Sequence, residues 1–264
     1  MENNNHPEEG IMNEYAKFAP RGYLEEFYST AGMASDEVAI AEFVRGFLVS
    51  RGKKFAKMLD FGSGPTIHHV ALFAPHVERV YIADFLKSNL KEINDWIEKR
   101  GHDWTPYIRD ILAREGKASD AAIAGRMRML RSKIKGLHHC NALNAAPFGD
   151  AVEAPFPLVT SFYCLECIGH EKARWKLAMR NMTSLVAPGG WVVMSALRDT
   201  DKYIVGGQEF PATRINEHDM RKTLVACGFV PETINIQVHP CVEWEAEGFS
   251  SVIVCSARKK CEGS

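Results

Sequence analysis

Apolar residues along this chain fall into two alternating patterns. Short, nearly solid runs occupy 57–61 (Lys-Met-Leu-Asp-Phe), 77–83, 137–140, 155–162 and 191–197. Their length and composition predict buried β-strands. Between them, apolar positions recur at helical spacing. Val38, Ile40, Ala41, Phe43, Val44, Phe47 and Leu48 mark a helix over 36–49 with Ser35 as its N-cap. Further helices are predicted from Pro65 to about Phe73, over 88–100, over 117–135 and over 172–186. The last is stopped by Pro188-Gly189-Gly190. A small hairpin is expected at 202–210, then a helix over 217–227 and two strands at 230–238 and 249–257. At the other end, 12–28 is dense in aromatics and reads as two short helices broken at Ala19-Pro20-Arg21-Gly22. Strands alternating with helices predict a doubly wound α/β sheet. The tail strands would supply an antiparallel end.

Composition changes this picture little. Of 264 residues, 46% are hydrophobic and 25% charged, which excludes fibrous and largely disordered classes. With 32 basic and 33 acidic residues the net charge is −1, so no electrostatic footprint for nucleic acid or an anionic membrane is present. No apolar run reaches the roughly 18 residues of a membrane span. The polar, acidic start (MENNNHPEEG) is not a signal peptide. Seven scattered cysteines point to a reduced, cytoplasmic protein.

The chemistry concentrates at strand ends. Asp60-Phe61-Gly62-Ser63-Gly64-Pro65 is a strand running into a tight glycine turn before a helix, which lets backbone approach a ligand. A plain strand-to-helix turn would look similar. The second strand, however, ends at Asp84, twenty residues beyond Gly64, where an acid can accept both hydroxyls of a ribose. Nicotinamide and S-adenosylmethionine sites share that device. The strand leaving into Phe162-Tyr163-Cys164-Leu165-Glu166-Cys167, the Pro-Gly-Gly-Trp turn and the tail strand pair favour S-adenosylmethionine. Cys164-x-x-Cys167 has no partner pair at zinc spacing, and the adjacent pairs His68-His69 and His138-His139 diverge in a helix or strand, so no metal site is expected. The basic run 114–135 reads as a solvated helix face.

These motifs resemble the nicotinamide, phenylethanolamine and thioether methyltransferase family. The resemblance spans about 12–260. It is carried by Phe18–Tyr28 (FAPRGYLEEFY), Leu59–Ile67 (LDFGSGPTI), Asp84-Phe85 with Asn89-Leu90, Ala187–Gly190 and Gly248-Phe249-Ser250. It implies a Rossmann-like seven-stranded sheet, mostly parallel with an antiparallel C-terminal strand. It implies one methyltransferase domain over 1–264, with 1–10 disordered, 11–52 as an N-terminal helical lid and 53–260 as the core. Tyr23 and Tyr28 match lid tyrosines. Asp60, Gly62, Ser63, Gly64 and Thr66 would surround the methionine part of the cofactor, with His68 beside the loop. Asp84, Phe85, Asn89, Asn141 and Ala142 would hold the adenosine end, Asn141 standing where the family has an acid, and Phe162 is a further expected cofactor contact whose ring faces the developing cation.

The acceptor side departs from the family pattern. Ser195 replaces an acid used by several members, while Arg198 follows closely, which suits a substrate carboxylate and equally a solvated loop position. Tyr163, Ser195, Arg198, Tyr203, Trp244 and Glu247 are the expected substrate contacts. Tyr23, Tyr163 and Glu166 are the expected catalytic residues, with Glu166, Glu243, Glu245 and Glu247 able to hold a cation. The expected reaction is methyl transfer from S-adenosylmethionine to nitrogen or sulfur of a small polar molecule, an amine or an amino-acid thioether such as methionine. O-methylation, or a silent cofactor-binding module, is the alternative. The expected protein is a cytoplasmic monomer with a small-molecule substrate, binding neither nucleic acid nor membrane.

Overall fold

A computed structural model describes residues 15–29, 32–149 and 154–261. The stretch 1–10 and the start of the first lid helix at Met12 lie outside these. The seven-stranded sheet runs β3-β2-β1-β4-β5-β9-β8. Its strands are β1 (Met58–Phe61), β2 (Val80–Asp84), β3 (Ile134–His139), β4 (Phe156–Ser161), β5 (Val186–Leu197), β8 (Asn235–Pro240) and β9 (Ser251–Arg258). All pairings from β3 to β5 are parallel; β9 runs antiparallel between β5 and β8. The strand order reverses at β1 and β4, which opens a crevice beyond their carboxyl ends. The hairpin β6 (Lys202–Val205) and β7 (Gln208–Pro211) stands apart as a separate two-stranded sheet.

The strands are solid apolar runs because helices cover both faces. Met58, Val80, Ile82, Leu158 and Val193 share one core with α2 (Ser35–Arg51), α3 (His68–Phe73), α4 (Lys87–Ile97), α5 (Thr105–Arg114) and α6 (Asp120–Lys133). Leu59, Phe61, Val159, Val192 and Met194 share the other with α7 (Lys172–Ser184) and α8 (Glu217–Ala226). The short lid helix α1 is Pro20–Tyr28.

Several elements differ from their sequence reading. The expected break at Ala19–Gly22 is the start of α1: Pro20 sits in its first turn, where a missing N–H costs nothing. Tyr15–Lys17, within the expected first helix, form a turn. Ser35 is the first residue of α2 rather than its cap, and its N–H goes to Glu243 Oε1 at 3.0 Å. Helix α5, with Tyr107, Ile108, Ile111 and Leu112 on its buried side, is an additional element between the expected helices over 88–100 and 117–135. β5 starts at Val186, pairing with Phe156, and the Pro-Gly-Gly turn is an irregularity inside it. The basic helix is not simply solvated. Arg126 is buried and donates to Ala71 O at 3.0 Å, while Lys133 Nζ donates to Ala74 O and Val77 O, each at 2.7 Å. Ala71 and Ala74 lie in and just past the last turn of α3, where the helix dipole favours a cation, and Val77 ends the short turn that follows.

One glycine controls the approach to the crevice. Gly62 has φ +70°, and a Cβ there would lie 1.9 Å from Cys164 Sγ. Gly62→Ala therefore combines left-handed backbone strain with overpacking. It is expected to lower stability by about 2–4 kcal/mol in urea unfolding.

Candidate active site

The crevice beyond β1, β2 and β4 is a deep cavity whose walls come from the sheet on one side and from α1, α2 and the β6–β7 hairpin region on the other. Its floor is the loop after β1. Gly62 and Ser63 both donate backbone N–H to Ala83 O, at 2.8 and 3.1 Å. Ser63 Oγ donates to Thr66 O and Thr66 Oγ1 donates back to Ser63 O. Asp84 receives Gly64 N–H on Oδ2 at 2.8 Å, and Leu86 N–H and Asn89 Nδ2 on Oδ1 at 2.8 and 3.0 Å. Burial raises the Asp84 carboxyl, and these donors oppose that rise. Asn89 Oδ1 is buried without a partner. Asp60 accepts from Thr160 Oγ1 at 2.6 Å.

The lid side is aromatic. Tyr23 and Tyr28 share a hydroxyl contact of 3.2 Å. Tyr15 OH donates to Cys167 O at 2.6 Å and meets Tyr203 OH at 3.1 Å. Phe27 packs on Trp244 with centroids 5.3 Å apart. Burial raises all these phenols, so they stay neutral donors. Tyr163 adopts φ +50°, costly for a bulky residue and often associated with function. Its hydroxyl donates to Asp36 Oδ2 at 2.8 Å.

That contact exposes residues the sequence reading passed over. Asp36 and Glu37, in the first turn of α2, are buried and line the cavity together with His69. Asp36 also accepts from Trp244 Nε1 at 3.0 Å. Burial raises its carboxyl, with Glu37 adding to the rise. Glu37 hydrogen-bonds His69 Nε2 at 2.9 Å and lies 3.1 Å from His68 Nε2. Burial pushes the Glu37 carboxyl up, but the two histidines outweigh it and hold it well below the usual range. Burial lowers His68 to about 4. Acids in a first helical turn look like dipole partners in sequence; only the packing of α2 on α3 shows where they face.

Of the sequence-derived residues, Tyr23, Tyr28, Asp60, Gly62, Ser63, Gly64, Thr66, Asp84, Phe85, Asn89, Ala142, Phe162, Tyr163, Tyr203 and Trp244 line this cavity. Six others do not. His68 is fully buried behind His69, and Asn141 turns inward to accept Leu143 N–H at 2.9 Å. Ser195 is buried inside β5. Arg198 points to α8, making a two-pronged pair with Glu217 (2.8 and 3.3 Å) and a further pair with Asp199 at 2.9 Å. It is therefore not placed to receive a substrate carboxylate in the cavity. Glu247, like Glu243 and Glu245, lies outside the lining, and Glu166 is buried beneath it, accepting Leu197 N–H at 2.9 Å.

Burial raises Glu166 from 4.5 to about 7. The unfolded chain then releases this proton near pH 4.5 while the folded chain keeps it to about 7. No penalty exists below that window, and the full penalty, on the order of 3 kcal/mol, is present above it. Glu166→Gln keeps an acceptor for Leu197 and removes the charge. Its stability advantage over the parent should grow from pH 5 to pH 8 in parallel thermal-unfolding series.

The sequence profile of the NNMT/PNMT/TEMT family matches residues 9–260. The chain is 28% identical over 224 residues to indolethylamine N-methyltransferase of Oryctolagus cuniculus, covering 82% of this chain and 84% of the relative. It is 25% identical over 225 residues to human nicotinamide N-methyltransferase, covering 83% and 84%. In fold it is similar to magnesium protoporphyrin IX methyltransferase of Synechocystis PCC 6803, solved with S-adenosylmethionine bound. That match has TM-score 0.57 and 12% identity, covering 98% of this chain and 100% of the other. The chain thus belongs to the NNMT/PNMT/TEMT family of S-adenosylmethionine-dependent methyltransferases.

Proposed function

We propose that this enzyme methylates the nitrogen of a small amine. The observation that carries the reading is Asp36: a buried carboxylate lining the cavity, oriented by Tyr163 and Trp244, with lone pairs left for an N–H donor. The rings of Tyr23, Phe27, Tyr163 and Trp244 add π-faces that favour a developing cation. Both curated relatives described above are named N-methyltransferases. No Lys or Arg is among the described residues of the cavity wall, which disfavours a substrate held by its carboxylate through a basic side chain. An amino-acid thioether held between Arg198 and an acid loses its cationic anchor to Glu217.

The cofactor end fits its ligand. The orphaned Asn89 Oδ1 beside Asp84 offers an acceptor next to a carboxylate that keeps one free lone-pair site, on Oδ2. Asp84 would take the ribose hydroxyls, the Gly62–Thr66 loop the methionine part, and Phe85 with Ala142 the adenine. When bound, S-adenosylmethionine supplies an electrophilic methyl group on a sulfonium. The protein's own task is alignment: Asp36 fixes the amine's N–H groups, the aromatic lid excludes water, and the floor loop sets the height of the cofactor. Such orientation is worth about 7–11 kcal/mol of barrier.

Three experiments follow. Asp84→Ala should weaken S-adenosylhomocysteine binding by about 1.5–3 kcal/mol in calorimetry; an unchanged constant would remove Asp84 from the cofactor site. Incubating the enzyme with S-adenosylmethionine and a panel of amines, thioethers and hydroxyl compounds, with mass detection, should yield N-methyl products. Asp36→Asn should raise the amine KM about 10- to 100-fold (roughly 1.4–2.8 kcal/mol) while S-adenosylhomocysteine affinity stays within about twofold. Methylation confined to thioethers or hydroxyls, or full activity in Asp36→Asn, would sink the amine reading.

A further inference from the structure

Behind the acceptor wall, Glu37, His68 and His69 bring one carboxylate and two imidazoles together. One ligand-capable atom from each lies within 4.8 Å of the others. Neighbouring histidines on a regular helix point about 100° apart, so their convergence needs a local cause. His68 is the first residue of α3 and enters from Ile67 at φ −130°, ψ −7°. The two rings stand 3.9 Å apart, and Glu37 from α2 closes the triangle.

The contacts within this triangle are not all hydrogen bonds. His69 Nε2 meets Glu37 Oε2 at 2.9 Å with acceptable alignment. His68 Nε2 lies 3.1 Å from the same oxygen, yet neither ring nitrogen of His68 has a hydrogen-bond partner, and the side chain is fully buried. An imidazole held close to a carboxylate oxygen but misaligned for N–H donation has its lone pair available for a third party. Ligand atoms at about 2.1 Å from a common metal ion stand about 3–3.4 Å apart in octahedral or tetrahedral geometry. The Glu37–His68 and Glu37–His69 separations match that spacing.

We propose that Glu37, His68 and His69 form a binding site for a divalent transition-metal ion of the nitrogen- and oxygen-preferring class, zinc or iron(II). Two imidazoles and one carboxylate are a donor set of this class, which leaves further coordination positions open. Glu37 and His69 line the cavity, so the open positions face the acceptor end. The back of the site is closed by Trp104, stacked on His68 at 5.0 Å, and by Tyr28 at 4.8 Å. The inference does not depend on which atom of the acceptor is methylated.

The test uses untagged full-length protein, stripped with chelator and titrated with Co(II), then with Zn(II) in competition. The expected result is one ion per chain, visible d–d absorption of a low-coordinate N/O site, and displacement by zinc. Glu37→Gln and His68→Phe, which preserve volume and ring packing, should each weaken binding at least about 100-fold. Calorimetry with S-adenosylhomocysteine reports whether each variant keeps its fold. No stoichiometric binding by the parent protein up to millimolar cobalt would overturn the site. Equal binding by folded variants would also overturn it, since the ion would then sit elsewhere, for instance on the cavity thiols Cys140, Cys164 and Cys167.

Discussion

A single buried carboxylate ties the loop after β1 to β2 and to the start of α4. Asp84 at the tip of β2 takes the amide of Gly64 from the loop after β1, the amide of Leu86 and the side chain of Asn89 at the start of α4. One distant loop, through Gly64, and the turn into α4 just after the strand, through Leu86 and Asn89, converge on two oxygen atoms. Desolvating a carboxylate is expensive unless it is well hydrogen-bonded, so the surrounding backbone has little freedom in where it goes. The loop's tight fold, the entry of α4 and the floor of the cavity all follow from satisfying that charge. Gly62 and Ser63 complete the arrangement by donating to the carbonyl of Ala83 just before it.

What could be read in advance was whatever local spacing determines. The strand-glycine turn at Asp60–Gly64, the acid at Asp84 and the alternation of strands with helices are near-neighbour patterns, and the sheet order is the usual result of such alternation. Asp36, Glu37 and His69 carry no such pattern. Two of them are ordinary first-turn acids until α2 is laid against α3. Arg198 failed for the converse reason. Its place after β5 put it near the crevice in sequence terms, but Glu217 at the start of α8 offers a bidentate partner, and the guanidinium turns toward it. The sequence reading leaves helix α5 out although its apolar spacing is regular and start signals, Asp103 and Pro106, mark its beginning. Its cap position is Trp104, which makes no side-chain cap hydrogen bond; Asp103, one residue earlier, accepts the Thr105 N–H at 2.9 Å, and Pro106 follows in the first turn.

The two halves of the cavity differ in how they are held. The cofactor floor rests on strand ends buried on both faces. The acceptor wall is assembled from α1, the first turn of α2, the hairpin β6–β7 and the segment around Trp244, joined by hydroxyl contacts and aromatic packing. Glu26 on α1 accepts the amide of Gly206 in the hairpin turn, linking α1 to the hairpin within the same wall.

The separation of hairpin β6–β7 from the main sheet bears on how such an enzyme diversifies. None of its ladder hydrogen bonds is shared with the seven strands that carry the cofactor loop. Length changes in the hairpin leave the ladder of those seven strands unbroken, whereas α1 is tied to α4 by Arg21–Glu92 and to the main core by Leu24 and Tyr28. Acceptor preference can therefore drift across descendants of one scaffold while donor recognition stays constant, and recombination at residues 201–212 is the natural graft point for exchanging acceptor selectivity between relatives.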